Sequence, residues 1–218
     1  MTALWNYYRD HQSDVWHWTW ATVWIAGLPL VIGLVLALPF GWLASRLRWT
    51  YVPLVTTAGI LYTIPSLVLF FVLPGILGTK IIDPVNVVVA LTIYTVALLV
   101  RVVADGLNSV SGDTLAAASA MGCTARQRLF QVQVPLAVPV IGAGLRVAAV
   151  SNVSLVSVAS LLGVPQLGSL FIAGNQANSV TPVLLGLIFI IALALAFDGV
   201  ILTAVRLLTP WQRAAVAR

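Results

Sequence analysis

The stretch PVLLGLIFIIALALAFDGVILTAV, residues 182–205, carries one ionisable side chain, Asp198. About 20 consecutive apolar residues suffice for an α-helix to cross the roughly 30 Å hydrocarbon core of a bilayer. A helix satisfies its backbone hydrogen bonds internally, whereas a lipid-exposed loop or sheet edge does not. This stretch therefore predicts a transmembrane helix and indicates an all-α integral membrane protein.

The composition extends this prediction to most of the 218 residues, because 61% are hydrophobic and only 8% are charged. A soluble domain carries about 25% charged residues. There is no Glu, and the six Asp residues are scattered, which argues against a carboxylate-rich metal or proton-relay site. His11 and His17 lack a third ligand, so no metal site is predicted.

Five apolar runs organise the chain. They predict spans at about 19–45, 51–77, 85–103, 136–162 and 182–205. Pro65 and Pro74 interrupt the second run, which predicts a kinked or broken helix. Residues 1–18 mix aromatic and charged side chains, as expected of an interfacial segment. The domain prediction is an interfacial segment 1–18, a transmembrane domain 19–206 with a polar loop at about 104–134, and a tail 207–218.

The distribution of Lys and Arg predicts the orientation. With the N-terminus outside, the cytoplasmic half holds or adjoins Arg46, Arg48, Arg101, Arg126, Arg128, Arg146, Arg206, Arg213 and Arg218. Only Arg9 and Lys80 lie outside. Cytoplasmic loops carry an excess of such residues. The loop 104–134 and the tail are therefore predicted to be cytoplasmic. The basic residues form no basic-aromatic cluster, so membrane topology explains them better than nucleic-acid binding.

The polar loop has the signals of two short helices. Asp113 or Ser111 can cap the first, and Gly122 suits the left-handed position that ends it. Thr124 and Gln127 match a capping box for a second helix, which is predicted to run to about Gln133, before the next element starts at Pro135. Small side chains beside a glycine turn permit close approach by another protein. The alternative is an ordinary ordered loop between two spans.

The spacing within this loop resembles the EAA loop of ABC-importer permeases. The matching positions are Ala116, Ala117, Ala118, Gly122, Val132 and Pro135, and Arg126 lies between them. In that family the loop docks into a groove of the ATP-hydrolysing subunit. Ala116 replaces the family's Glu, which suggests a weaker or asymmetric contact. We therefore favour a heterodimer with a second permease chain over a homodimer.

Other segments resemble permeases that import glycine betaine, choline, carnitine and proline. They are TIPSL at 63–67, YTVALLVR at 94–101 followed by Gly106 and Leu107, TARQRLF at 124–130, PLAVP at 135–139, GLRVAAV at 144–150, and Asp198 in the last span. The resemblance covers about residues 20–205. It implies the type I ABC importer permease fold and a multi-pass protein of a prokaryotic plasma (cytoplasmic) membrane. Residues 163–168, GVPQLG, depart from the group's usual pattern. The resemblance therefore predicts no shape for the external loop after the fourth span.

The resemblance implies a transport subunit that is not itself an enzyme. No phosphate-binding Gly-x-x-x-x-Gly-Lys-Ser/Thr sequence is present. ATP and Mg²⁺ are therefore expected in separate ABC ATPase subunits, with no cofactor in this chain. A separate extracytoplasmic substrate-binding protein is expected to hold the solute. A permease for methionine or another amino acid is one alternative, and an intramembrane enzyme is another.

Tyr62, Pro65, Ser66 and Asn152 are the candidate residues of the translocation path. Transporter sites favour interrupted helices, and the first three lie at the predicted break. A simple proline kink is the alternative for them, and helix–helix adhesion is the alternative for Asn152.

Arg146 and Asp198 are the ionisable residues inside predicted spans. Intramembrane charge is costly and is often functional. A structural role is the alternative for both residues, and Arg146 lies near enough to the cytoplasmic end to snorkel.

Overall fold

A computed structural model describes residues 2–211, apart from the side chains of Thr2 and Arg48, and the regular elements in this range are all helices. They are α1 (Thr2–Asp10), α2 (Gln12–Arg46), α3 (Arg48–Thr63), α4 (Ser66–Leu77), α5 (Pro84–Asn108), α6 (Gly112–Ala120), α7 (Ala125–Gln127), α8 (Val134–Val158), α9 (Ser169–Gln176) and α10 (Val180–Leu208). A π-helical segment, Arg128–Gln133, joins α7 to α8, and a 3-10 turn, Ala159–Leu162, follows α8. Residues 212–218 of the predicted tail lie outside the described residues.

The predicted set of about five spans is confirmed by the long helices. Within the described residues, four segments are long and apolar enough to cross a membrane: Gln12–Arg46, Pro84–Asn108, Ala125–Leu162 and Val180–Leu208. The bent pair α3–α4 supplies a fifth if it forms one span. The chain is therefore an all-α, multi-pass membrane protein.

The helix α5 lies at the centre of the bundle and packs against α2, α3, α4 and α8. Leu99 of α5 is buried together with Leu30 of α2, Ala148 of α8 and Ile201 of α10. In lipid, helix association depends on close van der Waals packing rather than on the removal of apolar surface from water. Small residues at the crossings are therefore decisive.

The contact between α2 and α5 shows this requirement directly. A Cβ atom on Gly33 would lie 2.5 Å from the Thr95 side chain, and one on Gly41 would lie 2.6 Å from Val103. Ala37, midway between the two glycines, is fully buried. The three residues recur every four positions and form one small-residue face, along which α5 approaches the α2 backbone.

The second apolar run is broken, as predicted, and the break is sharp. The two halves, Trp49–Thr63 and Ser66–Leu77, meet at 98°. Pro65 cannot donate a backbone hydrogen bond and holds the preceding residue out of the helical region, so Ile64 and Pro65 are both extended. At 1.5 Å per residue, neither half alone reaches about 30 Å.

One predicted boundary of the polar loop was wrong, and the other, near Gln133, marks a change of helix type rather than the end of a helix. The helix α5 continues to Asn108 instead of ending near residue 103, because Val103 and Leu107 still pack against Ala137 of α8. The predicted second short helix is the start of the long segment Ala125–Leu162. Pro135 removes one helical hydrogen bond, and the π-helical turn before it lets the chain continue without a break.

Residues 163–181, predicted as a loop, contain the short helix α9. Leu170 of α9 packs with Val15 and Leu185 in a separate buried cluster. The backbone N–H of Leu167 donates to the Thr22 hydroxyl at 3.0 Å, which fixes the segment before α9 to α2. The helix is too short to show a clear hydrophobic period in the sequence.

Candidate functional site

The helix α6 at the start of the candidate coupling loop is fixed at its N-terminus by Ser111. The Ser111 hydroxyl accepts a hydrogen bond from the backbone N–H of Thr114 at 3.2 Å. Ser111, rather than Asp113, is therefore the N-cap. Asp113 lies in the first turn, where a negative charge is favourable beside the helix dipole.

A glycine turn ends α6 in the way the sequence predicts. Gly122 has a φ of 85°, in the left-handed region. The N–H of Cys123 donates to the carbonyl of Ala118 at 3.1 Å, and that of Gly122 donates to Ser119 at 3.0 Å. This pair of bonds is the Schellman motif, which satisfies the last carbonyls of a helix. The turn therefore has a defined shape.

The second half of the loop is equally ordered. Thr124 and Gln127 form the predicted capping box, with the Gln127 side chain accepting from the Thr124 N–H at 2.9 Å. Arg128 donates to the Ser119 hydroxyl at 2.7 Å and so ties the π-helical segment to α6. The loop is one folded unit that continues without a break into α8.

The predicted loop residues occupy different positions on this unit. Ala116 and Ala117 are exposed on α6, whereas Ala118 is buried, with 2% of its surface exposed. Gly122 and Arg126 are exposed, and Val132 and Pro135 are half-buried. The exposed residues of α6 thus have mostly small side chains, with Asp113 and Thr114 in the first turn, and a partner surface can approach the helix backbone closely. A docking role for these residues stays a prediction.

The break between α3 and α4 places three predicted path residues together. Pro65 forms the corner, Ser66 begins α4, and Tyr62 lies in the last turn of α3 with 42% of its surface exposed. The Tyr62 ring meets the edge of Tyr94 of α5 at a centroid distance of 5.7 Å. The Tyr94 hydroxyl donates to the Ile64 carbonyl, one of the carbonyls that the break frees.

Asn152 shares a narrow cleft with Tyr62, Tyr94 and Ser151. Its side chain is 2% exposed, and its amide donates to the Thr95 hydroxyl at 3.0 Å and to the Ala26 carbonyl at 3.4 Å. These contacts join α2, α5 and α8. They fit the adhesive alternative for Asn152, while its place on a solute path stays a prediction.

Arg146 and Asp198 form a two-pronged ion pair between α8 and α10. The Nε and NH2 groups of Arg146 donate to the two carboxylate oxygens at 2.6 and 2.8 Å. The side chains are 37% and 25% exposed. Pairing inside a membrane lowers the cost of both charges. The sequence placed each charge in a span, and the fold brings the two together.

Two contacts near this region were not predicted from the sequence. Tyr51 of α3 donates to the Asp105 carboxylate of α5 at 2.6 Å, and Thr95 holds Asn152. Both join residues more than 50 positions apart, and no local pattern indicates such pairs. Tyr94 belongs to a segment that resembles the family, but no local sequence pattern connects this residue with the break between α3 and α4.

The fold defines the class of protein. The chain resembles a chain of an inward-facing MetNI methionine ABC transporter structure, with a TM-score of 0.79, 20% identity and coverage of 92% of this chain and 98% of that one. A chain from a structure described as an amino acid ABC transporter with histidines gives a TM-score of 0.72 at 17% identity, covering 90% and 95% of the two chains. This chain has the type I ABC importer permease fold.

The sequence comparison then identifies the family. Residues 29–209 match the binding-protein-dependent transport system inner membrane component family, and the chain belongs to it. It is 29% identical to the osmoprotectant import permease OsmW of Salmonella typhimurium, over 94% of this chain and 96% of that protein. It is 27% identical to the choline permease OpuBB of Bacillus subtilis, over 94% and 93%. It is 30% identical to the glycine betaine/proline betaine permease ProW of Escherichia coli, over 84% of this chain and 51% of ProW.

Proposed function

We propose that this chain is the permease subunit of an ATP-driven importer for compatible solutes, namely glycine betaine, choline, carnitine or proline. The observation that carries the proposal is the folded loop, in which α6 presents an exposed small-residue face between a capped N-terminus and a Schellman turn. Its spacing matches the docking loop of the family to which the chain belongs.

The solute class rests on the sequence relatives. The curated relatives named above are permeases for osmoprotectants, choline and betaines, and they match nearly the whole chain. The methionine and amino-acid alternative rests on solved structures at 20% identity or less, which support the fold alone.

The proposed partners follow from the same loop. ABC ATPase subunits dock on α6 and bind ATP and Mg²⁺, so this chain needs no catalytic residue or cofactor of its own. A second permease chain completes the path, and a separate extracytoplasmic protein delivers the solute. Because Ala116 replaces a Glu, the second chain is proposed to be non-identical. The assembly lies in the plasma membrane of a prokaryote.

Uptake and copurification test these proposals separately. Cells lacking the gene should lose uptake of labelled glycine betaine or choline and keep uptake of labelled methionine.

The tagged chain, purified in mild detergent, should retain an ABC ATPase, and absence of an ATPase would defeat the central proposal. Two differently tagged copies of the chain should not copurify, and their recovery together would overturn the heterodimer.

A further inference from the structure

An open groove of about 740 Å³ lies between the loop and the ends of the transmembrane helices. Cavities of roughly 300–1,000 Å³ are typical of small-ligand sites. Apolar side chains from α2, α5, the π-helical segment and α8 form its walls, including Leu38, Trp42, Val103, Leu107, Leu129 and Ile141. The groove is therefore suited to a flexible apolar chain.

Three arginines complete the lining: Arg46 at the end of α2, Arg126 in α7 and Arg128 in the π-helical segment. None of the described lining residues is acidic. The Arg46 guanidinium lies 5.2 Å from the centre of the Trp42 ring, which holds it against the groove. Arg128 already donates to Ser119, whereas Arg46 and Arg126 are exposed. The rim therefore favours an anion.

The position of the groove along α2 favours a lipid over a soluble protein as its occupant. Leu38 and Arg46 are eight residues apart on α2, or about 12 Å along the helix. Trp42 between them is the kind of residue that marks the membrane interface. The wall thus extends from the headgroup level into the hydrocarbon, where an acyl chain lies and a soluble ATPase does not reach.

We propose that this groove binds an anionic phospholipid, with the phosphate on Arg46 and Arg126 and an acyl chain along Leu38 and Trp42. Basic pockets between transmembrane helices on the cytoplasmic side are suited to anionic headgroups. Because the groove borders α7 and the π-helical segment, a bound lipid would brace the loop against α2. This site goes beyond the proposed solute transport and does not depend on which solute is carried.

Native mass spectrometry of the purified complex in detergent tests the proposal. Dioleoyl phosphatidylglycerol should remain bound in preference to dioleoyl phosphatidylcholine. The preference should fall about fivefold in R126A and about thirtyfold in R46A/R126A, as expected if each guanidinium near an anionic lipid contributes a similar attraction. R101A is the matched control and should keep the preference, because Arg101 is exposed outside the groove and pairs with Asp105 at 3.6 Å.

A second variant tests the apolar wall without changing charge. Leu38→Trp should fill the groove and reduce phosphatidylglycerol binding while the three arginines remain. Glycerol phosphate, which lacks acyl chains, should compete poorly in the unsubstituted protein. Thermal unfolding establishes that each variant is folded.

Three results would overturn the proposal. One is equal phosphatidylglycerol binding by the unsubstituted protein and R46A/R126A. Another is full competition by glycerol phosphate, which would make the site a simple phosphate site. The third is loss of the ATPase from R46A/R126A with unchanged lipid binding, which would assign the groove to the ATPase.

Discussion

Arg146 and Asp198 meet between α8 and α10, where each needs the other. Their two-pronged geometry satisfies the carboxylate on both oxygens. Removal of one partner leaves a charge in a region where solvation is poor, whereas removal of both leaves none. The ion pair therefore joins α8 and α10 at one specific position. Apolar contacts alone would not specify how the two helices align.

We expect Arg146→Met or Asp198→Leu alone to lower the unfolding temperature of the detergent-purified chain more than the two changes together. The physical reason is the orphaned charge in each single variant. Arg101→Met is the control, because that side chain is 67% exposed and its removal should have little effect. Additive losses in the double variant would show that the pair has no coupling.

Gly122 is the residue on which the shape of the candidate coupling loop depends. Its φ of 85° costs a side-chain-bearing residue about 1–2 kcal/mol. We expect Gly122→Val to lower solute uptake severalfold by displacing α6 relative to the π-helical segment. The measurement is uptake per copy of chain in the membrane.

Gly78→Val is the matched control, because Gly78 has a φ of 68° and ends α4 outside the loop. A Cβ atom there or on Gly122 would meet no heavy atom within 4 Å, so backbone strain alone is compared. The two variants should lose similar amounts of stability, but only Gly122→Val should reduce solute uptake. Normal uptake in Gly122→Val would contradict the importance of the turn.

Among the described elements, α2 and α5 form the most extensive helix pairing. We expect Gly41→Ala to destabilise the chain by about 1–3 kcal/mol, the usual cost of overpacking. The added Cβ would lie 2.6 Å from Val103 and 2.9 Å from the Val100 carbonyl oxygen. Unfolding midpoints of the purified chain in detergent measure this loss.

Gly59→Ala gives the opposite comparison, since a Cβ atom on Gly59 in α3 meets nothing within 4 Å. Alanine is the better helix former, so this variant should be neutral or slightly more stable. Equal destabilisation by Gly41→Ala and Gly59→Ala would contradict the conclusion that Gly41 is needed for close packing of α2 on α5.

The corner between α3 and α4 depends on its own sequence and on contacts with the neighbouring helix α5. The sequence of the corner, with Pro65, requires a break. Tyr94 of α5 then captures the freed Ile64 carbonyl, and its ring packs on Tyr62. A backbone group released by a proline inside a membrane needs such a partner. The corner is therefore held by α5 as well as by its own proline.

For the whole molecule, the predicted orientation is testable with the single cysteine. Cys123 lies in the loop next to Gly122, and the positive-inside rule places it in the cytoplasm. A membrane-impermeant maleimide should label Cys123 in inverted vesicles and not in intact spheroplasts. Lys80→Cys combined with Cys123→Ser should give the reverse pattern, because Lys80 is exposed in the turn before α5. Labelling of Cys123 in intact spheroplasts would contradict the proposed orientation of the chain.

Much of the loop could be predicted because its signals are local. The Gly122 turn and the Thr124–Gln127 capping box are confirmed, since each depends on residues within one turn of helix. The end of α5 was mispredicted, and the continuation of the helix from α7 through the π-helical segment into α8 was not predicted. Polarity suggested a boundary in both places, but packing of Leu107 on Ala137 and the π-helical turn carried the helices through.

By itself, the sequence determined the apolar spans, the break at Pro65, the capped loop and the family resemblance, because composition, proline chemistry and capping act over a few residues. Only the tertiary structure decided the 98° bend, the Arg146–Asp198 pair, the Tyr94 contact with Ile64, the α2–α5 glycine face and the groove lined by Arg46, Arg126 and Arg128. Each of these depends on which helix faces of one bundle meet, and residues far apart in the chain become neighbours only when the bundle packs.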